Sequence, residues 1–70
     1  MNESIKFIIA RLIDRANESA VEAKELPDDF NKGRRLAYYE VLDTIKSELQ
    51  VRNVDLKEYG LDVNLEKTFL

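Results

Sequence analysis

Apolar residues return every three or four positions along the first third of the chain: Ile5, Ile8, Ile9, Leu12, Ile13, Ala16, Ala20 and Ala23. At about 100° per residue they fall on one stripe of a helix, with Glu3, Arg11, Asp14, Arg15, Glu18 and Glu22 on the other side. The spacing predicts a helix over residues 2–25, capped by Asn2. Arg11 has Asp14 three positions away, and Arg15 has Glu18 and Glu22 within reach, so the polar side carries its own ion pairs. Leu26 and Pro27 end this helix, because proline drives its predecessor out of the α region and has no N–H to give back. Proline also suits the first turn of a following helix, where Asp28 and Asp29 meet the positive end of the dipole. A second helix is therefore predicted over 28–50, with Phe30, Gly33, Ala37, Tyr38, Val41, Ile45 and Leu49 facing inward.

A connection this short makes the two helices antiparallel neighbours. Antiparallel pairing then sets small residues against small ones, Ala16, Ala20 and Ala23 against Gly33 and Ala37. It sets bulky against bulky at the other end, Ile5, Ile9 and Leu12 against Val41, Ile45 and Leu49. On this basis Gly33 is expected at a close approach of the backbones, with Phe30 covering that end.

Beyond Gln50 the periodicity weakens. Asp55 and Glu58 have the spacing of a capping box, and Gly60 is suited to stop a helix, so a short third helix is expected over 54–59. In the last ten residues Leu61, Val63 and Leu65 alternate with polar positions, and Phe69 and Leu70 follow. That tail can dock as an extended segment, form a last helical turn or fray. The whole of 1–70 reads as one all-α domain: an antiparallel helical hairpin plus a short third helix.

Composition changes this picture in one respect. One core of 70 residues rarely supplies more than about 3–5 kcal/mol, and small proteins add disulfides, a metal or a partner subunit. Without cysteine or histidine, the chain has neither a disulfide nor the commonest transition-metal ligand. Oligomerisation is the remaining device, and the hairpin is expected to dimerise into a four-helix arrangement. Phe7, Val21, Leu36 and Tyr39 lie off the expected seam; with Phe69 from the tail they form the expected interaction surface.

Candidate chemistry is sparse. Ser4, Ser19, Thr44, Ser47 and Thr68 have no histidine to activate them, and two glycines build no phosphate loop, so no catalytic residue, cofactor or metal is expected. Glu18, Glu22, Glu25, Asp28 and Asp29 crowd the hairpin turn, and they read as solvated helix ends rather than a cation site. Lys32, Arg34 and Arg35, followed by Tyr38 and Tyr39, could hold phosphates and stack on bases. Against that, the net charge is −3 and cations near a helix N-terminus oppose its dipole, so nucleic acid is not the expected partner. Arg34 points close to the middle of the apolar face, from where Glu18 or Glu22 is within reach, or a subunit boundary. No segment has the roughly 20 apolar residues of a membrane span, and Asp14 and Glu18 weaken a membrane-surface role for residues 5–15. The setting expected for such a composition is the cytoplasm.

The run Phe30, Asn31, Lys32, Gly33, Arg34, Arg35, Leu36, Ala37, Tyr38, Tyr39, Glu40, Val41, Leu42 resembles small uncharacterised helical-hairpin proteins of Gram-positive bacteria and their mobile elements. That resemblance implies a bacterial source and brings no activity with it. The expected role is a non-enzymatic interaction or regulatory module that presents a helical surface to a second copy or to another protein. The alternative is a nucleic-acid-binding accessory protein using Lys32, Arg34 and Arg35.

Overall fold

In the computed structural model residues 3–70 are described, so the expected Asn2 cap lies outside the described residues. Helix α1 spans Glu3–Glu25 and α2 spans Asp29–Val51, and the two pack as an antiparallel hairpin. A 3₁₀ turn over Leu56–Tyr59 and a short helix α3, Leu65–Phe69, complete an all-α fold with no strand among the described residues.

The turn between α1 and α2 is held by side chains. Asp28 stays extended and caps α2, its carboxylate accepting from the Asn31 N–H at 2.8 Å. The Asn31 amide Nδ2 donates back to the Leu26 carbonyl at 3.0 Å, so one buried asparagine closes both ends of the turn. At its far end α2 stops at Arg52. There Asn53 takes a left-handed conformation at φ 57°, while Val54 N–H donates to Leu49 O and Asn53 N–H to Gln50 O. This is the double-bonded helix stop that glycine usually supplies, and asparagine is the next best residue for it. Gly60 repeats the device at φ 71° after the 3₁₀ turn, with Leu61 N–H donating to Leu56 O at 3.0 Å.

The expected helix over 54–59 is thus a four-residue 3₁₀ turn. Asp55 caps it by accepting from Lys57 N–H, two residues on, and Glu58 N–H donates three residues back to Asp55 O. Four residues between a cap and a left-handed glycine leave no room for an α-helical turn. Of the three courses open to the tail, it takes the last helical turn, as α3, and that turn packs on the hairpin. Asn64 caps α3 by accepting from Lys67 N–H, and Leu61, Leu65 and Phe69 are all buried.

The core runs along Ile9 and Ala16 of α1, Leu42 and Leu49 of α2, then Tyr59, Leu61, Leu65 and Phe69, with Ile5, Leu12, Ile13, Tyr38, Tyr39 and Ile45 packed at its margin. This corrects the rotation expected for α2. Its inward line is Asn31, Arg35, Tyr38, Leu42, Ile45 and Leu49, with Leu42 wholly enclosed. Phe30 is 74% exposed and covers nothing, Val41 is 45% exposed, and a Cβ added to Gly33 would meet no atom within 4 Å. The physical reason is the C-terminal segment. It packs on the flank of α2 that carries Tyr39 and Lys46, and α2 turns Leu42 toward α1 and the tail together. The small residues of α1 receive side chains instead of a helix backbone. Ala20 lines the same pocket as Arg35 and Phe69, while Ser19 is buried with its hydroxyl donating to Ala16 O.

Candidate interaction surface

The described residues fill a slab of 37 × 20 × 14 Å, with the hairpin as its frame and the C-terminal segment applied to one side. The other side stays open. There a groove of about 400 Å³ is lined by Ile5, Ile8, Ile9 and Leu12 of α1 and by Thr44, Ile45 and Leu49 of α2, with Glu48 and Arg52 at its end. No residue after Arg52 lines it. Val41 lies one turn before Ile45 and extends the same stripe along α2. Ile8, 55% exposed, and Val41 are the most solvated apolar residues of this face.

The two charged residues that line the groove are paired with each other, Glu48 meeting Arg52 at 2.9 Å. Elsewhere Arg15 meets Glu18 at 3.1 Å. Arg34 reaches across the hairpin to Glu22, one of the two partners expected for it, and its guanidinium lies 5.8 Å from the Tyr38 ring centroid.

The five residues expected to form an interaction surface do not come together. Phe7, 68% exposed, and Val21, 55% exposed, are fourteen positions apart on α1, about 21 Å along the axis. Leu36 is exposed on α2. Tyr39 is half-buried against the tail, its hydroxyl 3.4 Å from the Glu66 carboxylate. Desolvation, then the carboxylates of Asp43, Glu66 and Glu40, hold the Tyr39 phenol above its ordinary value of 10.0. Phe69 is a core residue, 3% exposed, because α3 carries it onto the small end of α1. It is corrected from surface to core.

Lys32, Arg34 and Arg35 also part company, since successive α-helical residues are turned by about 100°. Arg34 is taken by Glu22, Lys32 points to solvent, and Arg35 packs toward α3. Among the described residues no group of three or more acidic side chains is placed to hold a metal ion, and no helix is long and apolar enough to cross a membrane.

The open groove is the feature that sequence reasoning misplaced. Ile45 holds its expected place against the core while also lining the groove, whereas Val41, expected at the seam, and Ile8, expected on the inward stripe of α1, are exposed. The available signal was the width of the apolar stripe on α2, broad enough to serve two neighbours once Leu42 is counted with it. Comparison with family models, with curated proteins and with solved structures found no match to this chain.

Proposed function

We propose that this protein is a non-enzymatic interaction module that pairs with a second copy of itself through the open side of the hairpin. The observation that carries the proposal is the apolar groove through Ile8, Leu12 and Ile45, extended by Val41, which the C-terminal segment leaves uncovered. Two points favour a second copy as occupant. Glu48 and Arg52, the charged residues that line the groove, neutralise each other, so two identical faces meet without like-charge repulsion. A two-helix face laid on its own copy makes a four-helix bundle, which gives a 70-residue chain the larger core it lacks.

The function would be to present the paired bundle, or its exposed outer residues, to a regulatory partner in a bacterial cytoplasm. Composition supports this setting: the chain has neither cysteine for oxidative cross-links nor histidine for the usual acid–base chemistry. Nucleic-acid binding through Lys32, Arg34 and Arg35 loses support from their divergence, so no salt-dependent mobility shift with DNA or RNA is expected.

Sedimentation equilibrium at micromolar concentration tests the proposal. The expected mass is twice the 8.2 kDa of one chain, falling to 8.2 kDa for Val41→Glu while Leu36→Glu stays paired. A wild-type chain that sediments at 8.2 kDa throughout that range overturns it.

A further inference from the structure

We propose that the pocket between the C-terminal half of α1, the start of α2 and helix α3 binds a phosphate group, free or carried on a small organic ester. Its walls are Ala20 and Lys24 of α1, Arg35 of α2, and Lys67, Thr68, Phe69 and Leu70 at the end of the chain, around a volume of about 390 Å³. Three helices thus each deliver one cation to the same space, and no acidic side chain lines it.

That concentration runs against the charge of the whole protein. The net charge is −3, and Lys6, Arg11, Arg15, Arg34 and Arg52 each sit beside a carboxylate. Lys46 donates to the Val63 carbonyl. Lys24, Arg35 and Lys67 have no ion-pair partner among the described residues, although acids outnumber bases by fourteen to eleven. Lys32 and Lys57 also lack an ion pair among the described residues, but neither lines this pocket; Lys24, Arg35 and Lys67 are the three that share one space.

Arg35 is the most enclosed of the three cations: its side chain is half-buried and its Nε is shut off from solvent, while Lys24 and Lys67 are exposed. Partial removal from water strengthens the guanidinium's attraction for an anion. Thr68 adds no free donor, since its hydroxyl already donates to Asn64 O at 2.9 Å. The pocket's donors are therefore the two ammonium groups and the guanidinium, a set that matches a doubly charged tetrahedral oxyanion better than a single carboxylate. Ala20, Phe69 and Leu70 supply an apolar side against which the carbon part of an ester can rest.

This site lies apart from the open groove and does not depend on pairing of the chain. Titration of the full chain with inorganic phosphate and with phenyl phosphate, at constant ionic strength and followed by amide chemical shifts, tests it. Saturable shifts are expected at Lys24, Arg35 and Lys67, with the phenyl ester also moving Phe69 and binding more tightly. Lys24→Gln and Lys67→Gln should each weaken binding roughly tenfold, as expected for loss of one charge-assisted contact. Lys57→Gln, an exposed cation elsewhere, should leave it unchanged. Shifts that fail to saturate, or that respond equally to Lys57→Gln, overturn the site. Val41→Glu should bind phosphate as the wild type does, so loss of pairing and loss of the anion site are read separately.

Discussion

Gly33 is the residue whose role changes most between sequence and structure. At a close helix approach a side chain there would clash, and bulk would be costly. In the folded chain its Cβ position opens on empty space, so the propensity term acts alone. Gly33→Ala should stabilise by about 0.5–1 kcal/mol, raising the melting temperature by a few degrees, and Gly33→Leu should do nearly as well. A fall in melting temperature with leucine would show that α2 presents Gly33 to a neighbour. Asn31 is the converse case, a polar residue that the apolar pattern passes over. It is buried, and its amide supplies the Leu26 carbonyl at the turn. Asn31→Ala should cost about 0.5–1.5 kcal/mol in denaturant unfolding, because the turn loses the hydrogen bond to the Leu26 carbonyl. An unchanged midpoint would mean that water takes the amide's place.

For the two long helices, existence and type were legible and rotation was not; beyond Gln50 even type was not, since the expected helix over 54–59 is a 3₁₀ turn. Regular spacing from Ile5 to Ala23, the break at Leu26 and Pro27, and the cap at Asp28 define the hairpin without ambiguity. Tyr38, Ile45 and Leu49 take their expected inward places, and the line departs from the sequence reading at Val41 and Leu42, which are adjacent and both apolar, so that each starts a plausible stripe. What decides between them is a tertiary fact, the docking of a tail whose own periodicity is too short to announce α3. For the same reason the width of the stripe on α2 announces two neighbours but not which side stays open, since a face is open only relative to what covers the other. The stop at Asn53 was legible in principle, from asparagine just past the last periodic residue. The tail's weight can be measured. Leu61 is fully enclosed, and Leu61→Ala should cost about 2–5 kcal/mol, comparable to the whole net stability of a core this size. Truncation after Gly60 removes Leu61, Leu65 and Phe69 together, and helical circular dichroism should then be largely lost. A truncated chain that melts like the full one would detach the tail from the core.

For the whole molecule, the slab has a covered side and an uncovered one, and the proposed pairing rests on the uncovered side. If pairing there adds to the core, thermal stability should rise with protein concentration, because mass action favours the state in which both copies are folded. The most direct measurement is an isotope-filtered NOE experiment on an equal mixture of labelled and unlabelled chains, which reports only contacts between copies. Contacts among the methyl groups of Ile8, Leu12, Val41 and Ile45 are predicted. Intermolecular contacts confined to Phe7 and Val21, or none at concentrations well above micromolar, would contradict it.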